Sequence, residues 1–323
     1  MYSLSDITKL HIEITSKCQA SCPMCVRNIQ GGDISPWLEL NEISLEQFKQ
    51  WFPLDFLTQL LVISLCGNTG DPIIASDTLE ILKWVRQVNP DIKLNMNTNG
   101  SARTLEWWKE LAAVGVTVMF GIDGLADTHS LYRIGTDYDK ILRNAKTFID
   151  AGGTAEWHML VFKHNEHQVE SCRSLSKDLG FQNFVVKHSS RFRNDNVVVL
   201  HPANSYTIYP SNRSQEIKHK LGTIKTTSNI ICKVKEEGNI YINAKGNVTS
   251  CCWMDFSGMS PDSEVYEDYL SRGLTTPSLL NTTLSAIFES EYFNMIEQSW
   301  STNPLKTCNK QCGEIDKFNE QFK

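Results

Sequence analysis

Short apolar runs alternate with longer segments of helical periodicity along the first 190 residues of the chain. Stretches of strand length rich in β-branched residues predict six strands, and apolar residues spaced three or four apart predict helices between them. The predicted strands cover residues 7–14, 60–66, 92–96, 116–122, 155–162 and 184–187. The predicted helices cover residues 44–51, 75–88, 104–114, 138–151 and 165–179.

Strands that alternate with helices at about 30 residues per unit predict a parallel sheet with right-handed crossovers. Six such units predict an α/β fold, an incomplete (β/α)6 TIM-like barrel over residues 1–190. Weak periodicity over residues 191–230 predicts a linker or a segment that contacts the substrate. Residues 231–323 predict a small α+β domain, with strands at 231–235, 239–242 and 248–250 and one helix over 283–300.

The composition is that of an ordinary globular protein, with 41% hydrophobic and 21% charged residues. The net charge of −6 makes nucleic acid an unlikely partner, because a nucleic-acid binder needs a basic face. We find no signal peptide, and the longest apolar run is too short for a bilayer, which predicts a cytoplasmic protein without a membrane partner. In that compartment the ten cysteines are expected to be ligands or packed thiols, the latter including Cys66 and Cys172.

Three cysteines, Cys18, Cys22 and Cys25, follow the first predicted strand with the spacing C-x3-C-x2-C. Three thiolates on a tight loop can hold three corners of an iron–sulfur cluster, and the fourth iron then lacks a protein ligand. An open coordination position is typical of a catalytic metal site rather than a structural one. A zinc site and a disulfide framework are the alternatives.

This spacing, with Met24 before the last cysteine, resembles the signature of the radical S-adenosylmethionine (SAM) superfamily, and the resemblance extends over residues 7–190. It implies that Cys18, Cys22 and Cys25 bind a catalytic [4Fe–4S] cluster whose open iron is chelated by SAM. It also implies a reductant such as flavodoxin or ferredoxin. Reductive cleavage of SAM would then give a 5′-deoxyadenosyl radical that abstracts a substrate hydrogen.

The segment after the second strand, Gly67-Asn68-Thr69-Gly70-Asp71-Pro72, matches the place of the family's Gly-Gly-Glu-Pro stretch. The resemblance implies that Gly67 and Gly70 let the backbone approach the methionyl part of SAM. Asp71 would accept hydrogen bonds from the SAM ammonium. This chain departs from the family's stretch, since two residues intervene between the glycines and the shorter aspartate replaces the glutamate.

Three more predicted strand ends resemble the family. Asn99 in Thr-Asn-Gly would face the cofactor, and Asp123 in Gly-Ile-Asp-Gly would bind a ribose hydroxyl or order its own loop. Gly121 stands where the family often has a serine, so one polar SAM contact is expected to be absent or supplied by water. Arg133 in His-x-x-Tyr-Arg would pair with the SAM carboxylate, because a guanidinium fits a carboxylate.

Four cysteines near the C-terminus, Cys232, Cys251, Cys308 and Cys312, supply enough thiolates to close a second cluster. The stretch Gly-Asn-Val-Thr-Ser-Cys resembles the hairpin that opens the family's SPASM or twitch extension. A full SPASM domain holds two clusters, so the five cysteines here imply a twitch-like domain with one auxiliary [4Fe–4S] cluster. Cys252 could replace Cys251, and a zinc site is the alternative.

A second group of polar residues is predicted along the far rim of the barrel, where it could face a polar or anionic substrate. His164 and His188 are general-base candidates by position alone. The group consists of Lys163, His164, Lys187, His188, Arg191 and Arg193.

The resemblance implies hydrogen abstraction from an unactivated C–H bond, with the substrate then oxidised through the auxiliary cluster, rearranged, crosslinked or epimerised. Modification of a ribosomal peptide is the first expectation, and dehydrogenation of a small sugar or polyol is the second. A non-catalytic iron–sulfur or zinc-binding protein is the third. About six residues precede the first strand, so we expect a separate protein to recognise any leader peptide.

Overall fold

The computed structural model describes residues 3–189, 191–192, 196–200, 205–221 and 230–313. The strands in these ranges are β1 (Lys9–Ile12), β2 (Val62–Leu65), β3 (Lys93–Thr98), β4 (Val116–Gly121), β5 (Thr154–Val161), β6 (Asn183–His188), β7 (Val197–Val199), β8 (Tyr206–Ile208), β9 (Asn239–Ile242) and β10 (Val248–Thr249).

The helices are α1 (Leu45–Trp51), α2 (Leu54–Gln59), α3 (Thr78–Val88), α4 (Leu105–Val114), α5 (His129–Tyr132), α6 (Tyr138–Asp150), α7 (Val169–Leu179), α8 (Asn212–Leu221), α9 (Lys233–Glu236), α10 (Glu264–Ser271), α11 (Leu284–Glu289), α12 (Glu291–Thr302) and α13 (Lys306–Cys312). Short 3-10 helices cover Leu4–Asp6, Glu166–Gln168 and Cys252–Met254. None of the described helices is both long and apolar enough to cross a lipid bilayer.

Strands β1 to β6 pair in chain order and all in parallel, which confirms the predicted incomplete barrel. The sheet does not stop at β1. Strand β9 pairs with β1 in parallel and β10 pairs with β9 antiparallel, so the order is β10-β9-β1-β2-β3-β4-β5-β6. The C-terminal hairpin therefore extends the barrel sheet beside the first cysteine loop.

The strands alternate between a buried face and a half-buried face. In β4 the residues Val116, Val118 and Phe120 are buried, whereas the intervening Thr117 and Met119 are half-buried. Phe120 packs beneath the helices against Trp108 and Phe148, at ring distances of 5.3 and 6.3 Å. Each such side chain contributes about 1.5–3 kcal/mol by burial, so the helix-covered face holds the core. The other face is concave and lines the interior of the barrel.

Local signals set the helix boundaries where they were predicted. Ser44 forms a capping box with Gln47 at the start of α1, with N···O distances of 3.2 and 3.0 Å. Gly115 and Gly180 end α4 and α7 in the left-handed conformation, with φ of 76° and 88°. Such caps satisfy the free backbone groups that every helix end leaves.

Two predictions in the C-terminal part are wrong. Residues 231–235 were predicted as a strand, but Lys233–Glu236 is a helix, because β9 already occupies the free edge of β1. The single helix over 283–300 is two helices. Ser290 is extended, with ψ of 163°, and its side chain caps α12, which ends α11 one residue earlier.

The segment predicted as a linker at 191–230 contains regular structure in its described parts. Strands β7 and β8 form a separate antiparallel pair, and α8 follows them. Val199 and Ile208 of this pair are buried in a second apolar cluster together with the residues of the first cysteine loop. The segment therefore packs over the loop, and its contact with the substrate stays a prediction.

Candidate active site

The first cysteine loop follows β1 at the carboxyl edge of the sheet. Backbone hydrogen bonds shape it, from Cys25 to Cys22 within the loop at 3.0 Å and from Ser21 to the Ile134 carbonyl at 2.8 Å. The Ala20 amide donates to Cys18 Sγ at 3.4 Å. All three cysteines are free thiols on one short loop. The disulfide alternative is therefore wrong for them.

The second apolar cluster encloses this loop. Its buried members are Ala20, Cys22, Tyr132, Phe162, Phe192, Val199 and Ile208. The Arg191 guanidinium lies at its edge and donates to the Met24 carbonyl at 3.2 Å. Burial raises the pKa of Cys22 to about 11, so that thiol is neutral until a metal displaces its proton.

Glu13 is a buried carboxylate that the sequence analysis missed. Its Oε1 accepts hydrogen bonds from the Thr69 amide, the Thr69 hydroxyl and the Gly70 amide at 2.7–2.8 Å. Its Oε2 accepts one from the Tyr241 hydroxyl of β9 at 2.9 Å. The sequence feature that could have identified Glu13 is its position, since it is an acidic residue at the end of an otherwise apolar strand.

The loop after β2 therefore lies between the two halves of the chain. The Asn68 carbonyl lies 3.8 Å from Cys25 Sγ, and its side-chain amide donates to the Cys252 carbonyl at 2.9 Å. A Cβ on Gly70 would lie 1.7 Å from the Thr15 carbonyl oxygen, so only glycine fits there. Gly67 is similarly confined, since its Cβ would lie 2.4 Å from the Gly70 oxygen.

Asp71 holds Asn99 in place. One carboxylate oxygen accepts from the Thr98 hydroxyl at 2.8 Å, and the other accepts from the Asn99 backbone and side-chain amides at 2.7 and 2.6 Å. Asn99 in turn accepts from the Gln19 side chain at 2.7 Å, and its Nδ2 lies 3.7 Å from Cys18 Sγ. Asn99 thus lies beside the cysteine loop, whereas contacts of Asn99 with the cofactor and of Asp71 with SAM stay predictions.

The buried Asp123 and the half-buried Arg133 form an ion pair with an Nε–Oδ2 distance of 2.6 Å. Asp123 is fully buried, and its other oxygen accepts from the Leu160 amide at 2.6 Å, which favours the loop-ordering role over ribose binding. Burial disfavours the guanidinium charge, but Asp123 and the Cys22 thiol outweigh this and raise the pKa of Arg133. A Cβ on Gly121 would lie 2.6 Å from Arg133 Nη2, so the glycine makes room for Arg133.

The four C-terminal cysteines come from three separate segments. Cys232 precedes α9, Cys251 precedes a 3-10 turn, and Cys308 and Cys312 lie one turn apart on α13. Burial raises the pKa of Cys251 to about 12, and Cys252 and Cys232 add to it. Burial likewise raises the pKa of Cys308 to about 12, with Cys251 and Cys232 contributing. These thiols are therefore electrostatic neighbours.

Cys252 adjoins Cys251 and also lies near residues of the barrel. Burial raises the pKa of Cys252 to about 12, and Cys66 and Asp255 add to this. Within the described ranges, no three His, Cys, Asp or Glu side chains are arranged to hold a single metal ion.

The predicted far-rim residues do not form one group. Lys163 pairs with Glu166 at 2.6 Å, and His188 contacts the Ser211 hydroxyl at 3.2 Å. His164 stacks on Phe162, and burial lowers its pKa to about 4. Arg193 lies outside the described residues. Neither histidine therefore stands out as a base by its contacts.

We expect a Glu13→Gln variant to gain stability relative to the wild type as the pH rises from 5 to 8. Burial and the charge of Asp255 raise the pKa of Glu13 from 4.5 to about 7. The folded state then keeps a proton that the unfolded chain releases, so the wild type loses up to about 3 kcal/mol across this window. Glutamine does not titrate.

Urea unfolding of both proteins at several pH values measures this difference, and the exposed Glu106→Gln serves as the control. A difference in unfolding free energy between wild type and Glu13→Gln that does not change with pH would contradict the assignment.

Comparisons with known proteins agree with this geometry. Residues 12–175 match the family model described as the radical SAM superfamily. A tungsten-containing aldehyde ferredoxin oxidoreductase cofactor-modifying protein of Pyrococcus furiosus is 28% identical over 131 residues. That match covers 39% of this chain and a third of the relative's length (33%).

Two solved proteins share the fold. SuiB of Streptococcus suis bound to S-adenosylmethionine has a TM-score of 0.56 at 13% identity, over 93% of this chain and 66% of SuiB. The structure of SuiB bound to precursor peptide SuiA has a TM-score of 0.53 at 13% identity, over 95% of this chain and 70% of SuiB. The protein anSMEcpe with bound AdoMet has a TM-score of 0.59 at 15% identity, over 97% of this chain and 92% of anSMEcpe. At these identities the likeness concerns the fold alone.

Proposed function

The chain belongs to the radical SAM superfamily, and from this premise we propose that it is an enzyme that cleaves SAM and abstracts a hydrogen atom from its substrate. When bound, a [4Fe–4S] cluster supplies the electron for this cleavage. The observation that carries the proposal is the loop of three free thiols at the carboxyl rim of the incomplete barrel.

The residues around this loop fit such a cluster and SAM. Cys18, Cys22 and Cys25 would hold the cluster and leave one iron open. Gly67 and Gly70 let the neighbouring loop pack tightly against the chain at Thr15, because a Cβ at either glycine would meet backbone. We propose that the backbone of this loop contacts the methionyl part of SAM.

The other site residues orient and enclose the reactants. Asp71 fixes the Asn99 side chain beside Cys18, and Asp123 fixes Arg133 beside Cys22. The second apolar cluster excludes water from the loop, which protects a reactive radical from side reactions. We further propose flavodoxin or ferredoxin as the reductant and the cytoplasm as the location.

We propose that Cys232, Cys251, Cys308 and Cys312 bind an auxiliary [4Fe–4S] cluster in a twitch-like domain. Cys232 and Cys251 both raise the pKa values of Cys308 and Cys312, and this proximity supports the ligand set. We expect Cys251→Ala to lower the iron content from about eight to about four atoms per chain, because two four-iron clusters become one. Iron and sulfide analysis after anaerobic reconstitution measures this.

Cys252→Ala is the matched control, since Cys252 adjoins Cys251 in the sequence but is not one of the four proposed ligands. It should keep about eight iron atoms per chain. An equal loss in both variants, or no loss in Cys251→Ala, would contradict the ligand set.

As substrate we propose a peptide. Its support is that two proteins of this fold were solved with peptides, SuiB with the precursor peptide SuiA and anSMEcpe with the Cp18Cys peptide. An electron acceptor in the C-terminal domain would suit an oxidation of that peptide.

The test of the proposed function is anaerobic incubation of the reconstituted protein with SAM and dithionite, followed by mass spectrometry. We expect 5′-deoxyadenosine and methionine in equal amounts. Absence of 5′-deoxyadenosine from a protein that carries its full iron content would refute the enzymatic function and favour an electron carrier.

A further inference from the structure

The concave face of the incomplete barrel carries many polar side chains, which is unusual for a barrel interior. Barrel interiors are normally filled by layers of branched apolar side chains. Here Ser64, Asn95 and Thr117 occupy one row across β2, β3 and β4, since Ser64 pairs with Asn95 and Asn95 with Thr117. The next row along β3 to β5 holds Asn97, Met119 and Glu156. We call these two rows the polar floor.

The polar floor has unused hydrogen-bonding capacity. Within the described ranges, the side chains of Ser64, Asn95, Asn97 and Thr117 make no hydrogen bond to protein, although all four are half-buried. Their hydroxyl and carboxamide groups each offer both a donor and an acceptor. Leaving such groups unpaired under a bound ligand is costly, so the ligand that covers them must itself donate and accept.

The floor continues directly into the candidate active site. His158 follows Glu156 on the same face and pairs across the sheet with Gly121, the glycine that makes room for Arg133. Its Nε2 contacts Glu156 at 2.9 Å, and Asn183 donates to the same carboxylate at 2.8 Å. One ligand could therefore contact both the floor and the SAM rim.

The charges around the floor select a neutral group. Glu156 of β5 brings a negative charge, and Lys187 of β6 brings a positive charge that has no ion pair with a described residue. An anionic ligand would be attracted by Lys187 but repelled by Glu156. A cationic ligand would be attracted by Glu156 but repelled by Lys187. A neutral ligand avoids both penalties.

We propose that the polar floor binds a neutral alcohol, so that the part of the substrate that enters the barrel carries hydroxyl groups. A hydroxyl donates and accepts at a single atom, as the floor requires, and both a threonine or serine side chain and a sugar carry it. This inference rests on the proposed function, which makes the barrel interior the substrate chamber.

Ligand-observed NMR on the reconstituted protein with SAM bound tests the inference with two matched pairs of probes. Acetyl-Gly-Thr-Gly-amide is compared with its isosteric valine counterpart, and myo-inositol is compared with cyclohexanol. We expect the threonine peptide to bind about tenfold more tightly than the valine peptide, or the polyol myo-inositol about tenfold more tightly than cyclohexanol, which carries a single hydroxyl, in line with one or two hydrogen bonds. Preference in the peptide pair identifies a side chain as the source, and preference in the inositol pair identifies a sugar.

Asn97→Leu should abolish that preference, because leucine keeps the size but loses the amide. Asn281→Leu, at an exposed position far from the floor, should keep it. Iron content and the unfolding midpoint establish that each variant is folded. Equal binding within both pairs, or a preference that survives Asn97→Leu, would overturn the inference. Since binding is measured without turnover, this outcome is distinct from a failure to cleave SAM.

Discussion

Cys22→Ala is expected to abolish SAM cleavage and to lower the iron content from about eight to about four atoms per chain. Cys22 is the most buried of the three thiols and is a buried member of the second apolar cluster, beside Arg133. Its loss leaves two thiols, which cannot hold three corners of a four-iron cluster. The measurements are iron analysis and 5′-deoxyadenosine formation under anaerobic conditions.

Cys172→Ala is the matched control. Cys172 is a fully buried thiol on α7 that packs in the main core, so its loss removes a cysteine without touching either ligand set. It should keep full iron content and SAM cleavage. Residual 5′-deoxyadenosine formation by Cys22→Ala, at more than a trace of the wild-type rate, would show that this loop is not the reaction centre.

Arg133→Met is expected to destabilise the protein by about 3–5 kcal/mol, because it leaves the fully buried Asp123 without its counter-ion. The Leu160 amide alone cannot compensate a buried charge. The double variant Asp123→Asn/Arg133→Met should recover most of this loss, since it removes the charge together with its partner. Urea unfolding of the three variants and the wild type measures the coupling.

Arg173→Met provides the control for removal of an arginine. Arg173 forms an exposed ion pair with Glu170, which contributes about 0–1 kcal/mol. If Arg133→Met loses no more unfolding free energy than Arg173→Met, the stabilising role of the Asp123–Arg133 pair is contradicted. The same conclusion follows if the Asp123→Asn/Arg133→Met double variant is as unstable as Arg133→Met.

Local patterns predicted the parts of the fold that depend on neighbouring residues. The six parallel strands, the Ser44 capping box and the glycine caps at Gly115 and Gly180 all follow from periodicity or from one residue's backbone preference. Because the strands are parallel, their carboxyl ends meet at one rim, and the sequence alone therefore predicts that Asn99 lies on the same rim as the cysteine loop.

Contacts between distant segments were not predictable in this way. The Tyr241 hydroxyl donates a hydrogen bond to Glu13 although the two residues are 228 positions apart in the sequence. Strand β9 pairs with β1, but no local sequence pattern indicates which strand edge a hairpin will join. Pairing of β7 with β8 was missed for a similar reason, since three-residue strands are too short for periodicity to identify. The departure at Gly121 was visible in the sequence, but its cause, the Arg133 guanidinium, is visible only in three dimensions.

The central claim is that Cys18, Cys22 and Cys25 leave one iron open for SAM. Electron paramagnetic resonance of the Cys251→Ala/Cys308→Ala double variant tests it most directly, because that variant keeps only the N-terminal thiol set intact. We predict that the spectrum of the dithionite-reduced cluster changes its g values when SAM is added, as SAM coordinates the open iron. A reduced cluster whose spectrum is identical with and without SAM would contradict the claim.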